Sequence, residues 1–297
     1  TGEHLKTAGA VSALTGYTRF MPRGFFKNPN DLATYLVLYL PFIYVLGRYL
    51  SRKLSTFTFF PVLLLAAGTG IYLILQTGSR ANMIALVPMA LAAVALYLIQ
   101  SRYKALRNIT FLSIALVMGY SCMTSCVPEF ANWSNRQYRI ASHHLSTLEY
   151  AGGQESARVV LYRNAVTELK AHSFMGVGAG NAEEHMKKYR TGTFRILALH
   201  NWWLEILANY GIFVFVLYLT FYVKLLYELF VVAVRAGQGL LRVLGESCLL
   251  ALVGFPIAAV SSSSLIYARF MWILFGIALC VVNIYQVGLK REEGDSL

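Results

Sequence analysis

The sequence predicts an all-α fold: a polytopic integral membrane helix bundle with a large helical extracytoplasmic loop. Three observations carry that expectation. Hydrophobic residues fill 57% of the 297 positions and charged residues only 13%, whereas a soluble domain carries roughly a quarter charged residues. About seven apolar runs, at residues 32–48, 56–76, 81–100, 109–126, 203–225, 246–264 and 268–288, approach or reach the roughly 20 residues needed to cross a bilayer. One long, more polar stretch, from about 128 to 200, separates the fourth run from the fifth. The chain thus divides into three expected parts. Residues 1–127 hold an N-terminal extracytoplasmic segment and transmembrane helices 1–4, residues 128–200 form the large loop, and residues 201–297 hold helices 5–7 and a cytoplasmic tail. The chain opens on Thr1-Gly2-Glu3 and is expected to be the C-terminal portion of a longer protein.

The first run follows Asn28-Pro29-Asn30-Asp31, where Asp31 reads as a helix N-cap. Pro41, Pro61, Pro88 and Pro256 lie inside apolar runs, and membrane helices tolerate them when a neighbour satisfies the freed carbonyl. Short basic loops set the orientation. Arg48, Arg52 and Lys53 form one, Arg102, Lys104 and Arg107 the next, Lys224, Arg235 and Arg242 the third, and Lys290-Arg291 close the chain. All fall on one side of an alternating bundle, which assigns that side to the cytoplasm. These loops account for much of the net charge of +12, with 26 Lys and Arg against 14 Asp and Glu. No nucleic-acid motif accompanies the charge, and nucleic acid is not an expected partner. Cys122, Cys126, Cys248 and Cys280 fall in or beside apolar runs without metal-ligand spacing. They read as core or lipid-facing thiols, and neither a metal nor a cofactor is expected.

The second and third runs meet at Gln76-Thr77-Gly78-Ser79-Arg80. So few polar residues separate them that Arg80 must lie at or just under the membrane surface. A fixed cation there is costly unless it snorkels, pairs or meets an anion. Arg80 is therefore a candidate anchor for the phosphates of a lipid-linked substrate, or an interfacial residue touching headgroups. In the long loop, residues 155–171 read as an amphipathic helix with Val159, Tyr162, Val166 and Leu169 on one stripe. Arg158 precedes the stripe and Arg163 lies off it. Gly176, Gly178 and Gly180 then alternate, as a backbone phosphate cradle or a plain flexible turn. The loop ends on Leu199-His200-Asn201-Trp202-Trp203-Leu204-Glu205. Trp202 and Trp203 suit the interfacial aromatic belt. His200 can serve as a general base near neutral pH. Glu205 can orient His200, serve as the base itself, or pair with an arginine within the bundle.

Arg80, the helix bearing Arg158, and His200 thus fall at one depth on the side opposite the basic loops. A diphosphate leaving group needs its developing charge stabilised. Arginines can do this through bidentate contacts, and an attacking sugar hydroxyl needs its proton removed. No Asp-x-Asp motif of a metal and nucleotide-sugar transferase is present.

Four segments together resemble the O-antigen ligase and polymerase family of bacterial envelope polysaccharide assembly. They are Gly24-Phe25-Phe26-Lys27-Asn28-Pro29-Asn30, Thr77-Gly78-Ser79-Arg80, Ser156-Ala157-Arg158 with Gly176-Val177-Gly178-Ala179-Gly180, and His200-Asn201. The likeness runs from about residue 20 to about 230. It implies metal-independent, inverting glycosyl transfer from an undecaprenyl-diphosphate-linked oligosaccharide to an acceptor hydroxyl on the outer face of the bacterial cytoplasmic membrane. The partners it implies are that lipid-linked glycan, a glycan or lipid acceptor, and the bilayer. Arg80 and Arg158, with Arg163, would bind the diphosphate. His200 would be the catalytic histidine, with Glu205 beside it. The family extends to teichuronic acid and capsule polymerases, and the Asn-Trp-Trp-Leu-Glu run with the compact loop favours polymerase over ligase. The rival from another class is a transporter or flippase for an anionic polyprenyl-linked lipid, which would need polar residues along a route across the membrane. A membrane scaffold is a third reading, and it leaves the clustering of Arg80, Arg158 and His200 without a purpose.

Overall fold

The structure is a computed structural model that describes residues 8–11, 18–53, 56–101, 132, 135, 157–188, 197–237, 239–262, 264, 266 and 268–294. The expected run 109–126, the basic loop of Arg102, Lys104 and Arg107, and Cys122 and Cys126 lie outside these residues. The chain forms two compact units, residues 1–93 with 157–297, and residues 94–156. The architecture below belongs to the first, except for residues 94–101, the end of the third helix.

A short antiparallel hairpin, β1 (Ala8–Val11) and β2 (Thr18–Met21), pairs Ala8 with Met21. Helices follow: α1 (Pro29–Lys53), α2 (Thr56–Thr77), α3 (Arg80–Ser101), α4 (Ala157–Ala171), α5 (Ala182–Met186), α6 (Trp202–Arg235), α7 (Leu240–Ala258) and α8 (Arg269–Gly294). Helices α1, α3, α6, α7 and α8 each contain a stretch long and apolar enough to cross a membrane. The chain is a multi-pass helical membrane protein, and six of the expected apolar runs fall on described helices. Large apolar side chains such as Leu65 on α2 and Leu217 on α6 lie open on the helix surfaces, at 72% and 70% exposure. That is the face a lipid solvent favours and water does not.

Local chemistry sets the helix ends. Asn28 Oδ1 accepts from the Asn30 N–H at 2.9 Å, and Pro29 occupies the first helical position, where its missing N–H costs nothing. Asn28 is therefore the cap of α1, and Asp31, expected in that role, sits in the first turn instead. Between α2 and α3 the chain reverses within Gly78-Ser79. Gly78 takes a left-handed φ of 70°, and the Ser79 carbonyl accepts the first helical bond of α3 from Met83 at 3.1 Å. Arg80 is thereby the first residue of α3.

The bundle core joins Val37 of α1, Ile74 of α2, Ala85 and Met89 of α3, and Ala258 of α7. Gly254 lets α7 close on α3, since a Cβ there would meet Met89 Sδ at 2.4 Å. Pro256 breaks the backbone ladder of α7 and frees the Leu252 carbonyl. The buried Tyr222 hydroxyl of α6 donates to that carbonyl, which makes the proline affordable in an apolar interior. At the other end of α7, the carboxylate of Glu246 is buried between Arg48 of α1 and Arg242, whose Nε is 3.1 Å away.

Helix α6 is two helices. Gly211 takes φ 79° and ψ −179° and breaks it into limbs at 202–210 and 212–235. The limbs fold back on one another. Trp202 and Tyr218, 16 residues apart in sequence, have ring centroids 6.0 Å apart and share a hydrogen bond of 3.0 Å; a straight helix would separate them by about 24 Å. The expected run at 203–225 therefore straddles a reversal, and the long apolar limb begins at 212. Trp202 is a buried residue of an aromatic cluster with Trp203, Tyr218, Tyr222, Phe255 and Phe275, so the belt role expected of it is replaced by packing.

The first limb packs with the loop helices. Ala165 of α4, Ala182 and Met186 of α5, Leu199, and Ala208 form a second small core. The buried face of α4 is Leu161, Ala165, Glu168 and Leu169. Val159 and Val166, expected on the packed stripe, are exposed at 48% and 38%. The stripe is rotated because the small Ala165 and the partnered Glu168 are what fit against α5 and α6.

Candidate functional site

The glycine run shows how the loop meets α6. The break at Gly211 frees carbonyls on the first limb, and the chain 174–178 lies against them. Val177 N–H donates to Ala208 O and Gly178 N–H to Asn209 O, both at 2.9 Å, while Ile212 N–H donates back to Phe174 O at 2.9 Å. A Cβ at Gly176 would meet Gly211 N at 2.6 Å, and one at Gly211 would meet the Met175 carbonyl at 2.4 Å. The two glycines allow backbone to touch backbone. The N–H groups of Val177 and Gly178 are spent on that contact, so the phosphate-cradle reading of the run is replaced by a packing role.

The end of the bundle opposite Glu246 carries a buried polar cluster. Asn82 Nδ2 donates to Ser261 Oγ at 2.7 Å and to Ser79 Oγ at 2.8 Å, and lies 3.2 Å from Thr34 Oγ1. Ser262 Oγ and Thr34 Oγ1 are 2.8 Å apart, and Ser79 Oγ and Ser261 Oγ 3.2 Å. These bonds tie the start of α1, the start of α3 and the segment after α7 into one unit. Arg80 is held between Ser79 and Asn82, both of which bond Ser261.

His200, at the head of α6, stands against the segment after α7. It has a left-handed φ of 50°, uncommon for a residue with a side chain. The next residue, Asn201, caps α6 by accepting from Trp203 and Leu204 N–H at 3.1 and 3.3 Å. Trp202 N–H donates to Ala259 O at 3.0 Å. Among the described residues, His200 Nδ1 is a buried polar atom with no hydrogen-bond partner, a state that native structures seldom leave without a purpose. Burial holds the His200 pKa below the ordinary imidazole value, and the nearby Arg158 guanidinium pushes it the same way. Asp31 and the backbone of Ser262 and Ser261 oppose that shift. That direction favours the neutral ring, which can take a proton.

The structure thus brings Arg158, His200 and the Ser261–Ser262 segment together, with Arg80 anchored beside that segment. It adds Asp31, which sequence reasoning read only as a cap. Its signal was its place in the first turn beside Asn28-Pro29-Asn30. Arg163 is not part of the group. Both arginines are exposed, but Arg163, five residues beyond Arg158, stands about 140° around α4, off the line of the buried Leu161, Ala165 and Leu169 on which Arg158 falls. Glu205 lies one turn into α6, and its Oε1 accepts from the Ser264 hydroxyl. It lines a small cavity with Gly180, Ala182, Glu183, Leu199, Asn209 and Ile266.

The first turns of α1, α3 and α6 begin in this region, with Thr34 and Ser79 bonded to Asn82 and the Trp202 N–H to Ala259 O. With Arg80 and Arg158 they favour an anion. The neutral imidazole supplies a proton acceptor beside it, which is the pairing that an anionic leaving group and a hydroxyl nucleophile require.

The family profile described as O-antigen ligase matches residues 63–219. A curated relative, the teichuronic acid biosynthesis protein TuaE of Bacillus subtilis (strain 168), is 26% identical over 295 residues, covering 99% of this chain and 58% of the relative. The chain therefore spans little more than half the length of that relative. No solved structure matches.

Proposed function

The chain belongs to the O-antigen ligase family, and on that premise we propose that it transfers a glycan from a polyprenyl diphosphate, undecaprenyl diphosphate in bacteria, to an acceptor hydroxyl on the extracytoplasmic face of the cytoplasmic membrane. The observation that carries this reading is the buried, unpartnered Nδ1 of His200 set within the electrostatic reach of Arg158. In the proposed reaction, Arg80 and Arg158 hold the diphosphate and stabilise the charge that grows as the bond from the sugar's anomeric carbon to the phosphate oxygen breaks. The neutral His200 ring accepts the proton of the acceptor hydroxyl, whose oxygen forms the new bond from the opposite face of the sugar, with inversion. An arriving diphosphate offsets the Arg158 charge and raises the basicity of His200 when it is needed. Glu205, with Glu183 across the small cavity, suits hydroxyl-rich sugar better than phosphate, because carboxylates accept from hydroxyls and repel anions. We assign it to acceptor orientation.

The transporter reading needs a polar route through the bundle. Among the described residues, the core between the Asn82 cluster and Glu246 is lined by Val37, Leu38, Val45, Ile74, Met89 and Leu252, which favours surface chemistry over passage. The relative's name assigns it to teichuronic acid biosynthesis, and we extend that to an envelope polysaccharide as product, with polymerase favoured over ligase. The deciding experiment is the length profile of lipid-linked glycan in a strain lacking the gene. Single repeat units left on the lipid identify a polymerase, and full-length chains left on the lipid identify a ligase. An unchanged profile overturns the transfer reading, and lipid-linked units trapped on the cytoplasmic face identify a flippase.

A further inference from the structure

A second group of titratable side chains lies where α4 meets α5, apart from the residues assigned to transfer. Glu168 on α4 and His172, the residue just past its end, are four residues apart, and the His172 N–H still donates to the Glu168 carbonyl at 3.1 Å as in a helix, so the two project from one face. His185 reaches them from α5. Its Nδ1 lies 2.8 Å from Glu168 Oε2, and the two imidazole rings stand edge to face with centroids 5.2 Å apart at 80°. One ligand atom from each of the three residues lies within 4.8 Å of the others. The Glu168 side chain is 7% exposed, His172 37% and His185 25%, so the carboxylate is enclosed while the histidines leave one side open.

We propose that Glu168, His172 and His185 form a binding site for a divalent transition-metal ion, with Zn2+ the best match. Two imidazoles and one carboxylate are a borderline donor set that prefers zinc to magnesium or calcium. The second contacts agree. His172 Nδ1 lies 2.9 Å from the Glu168 carbonyl, the backbone bond that commonly fixes a ligating histidine and directs its other nitrogen to the metal. Ligand bonds of about 2.0–2.2 Å require the three donors to close by roughly 1 Å, within the reach of side-chain rotation, and the open side admits water as a fourth ligand. Lys188 marks the place a cation takes. Its Nζ sits 3.4 Å from both oxygens of Glu168, and its side chain is 60% exposed, so an ion can displace it into solvent. The bound ion would clamp α5 onto α4 and with it the chain 172–185 that carries the Gly176 contact to α6. Its role is structural, and the transfer chemistry proposed for His200 does not pass through it. This departs from the absence of metal expected from cysteine spacing, because the ligands are a helical Glu-x-x-x-His pair and a histidine 13 residues further on.

The test uses the whole chain in detergent, purified without a histidine tag, stripped with chelator and titrated with Zn2+ by calorimetry. Co2+ serves as a visible-absorption probe of the ligand field. One ion per chain is expected, with the melting temperature raised on binding. Glu168→Gln preserves the hydrogen bond to His185 while removing the anionic ligand, and should weaken binding at least about tenfold, as should His172→Gln and His185→Ala. Lys188→Ala should tighten it by about fivefold by removing a competing cation. No binding by the well-folded wild-type chain overturns the proposal. So does binding that Glu168→Gln and Lys188→Ala both leave unchanged, even if a histidine variant fails to fold.

Discussion

The two ends of the bundle handle buried polarity in opposite ways. At the Glu246 end, charge is enclosed and answered within the protein: one carboxylate, 3% exposed, lies between two guanidinium groups. At the His200 end, the enclosed groups are neutral. Hydroxyls and an amide satisfy one another around Asn82, while the ring beside them keeps an unsatisfied nitrogen. A buried charge must be paired or its cost is several kcal/mol, so the first arrangement locks α1 to α7 and has nothing left to offer. A neutral network can hold backbone in place without adding charge of its own. The comparison separates a structural polar site from the one proposed for transfer in a single bundle.

The comparison breaks most decisively at the arginines. Arg80→Ala and Arg158→Ala should each lower glycan transfer by at least about a hundredfold, the range for removing a group that stabilises developing charge, with expression and melting temperature intact. Wild-type product from either variant in a deletion strain would remove the phosphate-binding role. Glu246→Ala should do the reverse. It strands Arg48 and Arg242, each nearly one-fifth exposed and so able to snorkel in part, and should cost about 2–4 kcal/mol of stability in detergent unfolding while activity per folded molecule stays the same. A comparable catalytic loss in this variant would erase the distinction between the two ends.

Gly211→Ala tests the joint that carries the His200 end. The left-handed φ and the 2.4 Å approach to the Met175 carbonyl predict a loss of about 2–3 kcal/mol, read as increased proteolysis of the 172–188 segment. The smallest effect is on pH. Transfer that needs a neutral His200 gains activity as pH rises through its lowered pKa. Arg158→Gln removes one cause of the lowering and should move the acid limb of residual kcat/KM to higher pH, whereas Asp31→Asn removes an opposing cause and should move it lower. An acid limb indifferent to both variants would dissociate His200 from proton transfer.

Composition and run length alone determined that this chain is a helical, multi-pass membrane protein, because an apolar solvent leaves the backbone few other options. Order along the chain also located Arg80 at the α2–α3 join and His200 at the head of α6, since both follow from where apolar runs stop. Tertiary structure decided the rest. The reversal at Gly211 is invisible in a hydrophobic run, because both limbs are apolar and the break depends on the chain 174–178 arriving to accept and donate the freed hydrogen bonds. The separation of Arg158 from Arg163, the recruitment of Asp31 and the pairing of Glu168 with His185 are distances across elements far apart in sequence. Such distances are set by which faces pack, and the packed face of α4 was chosen by small Ala165 and buried Glu168 rather than by its most hydrophobic stripe.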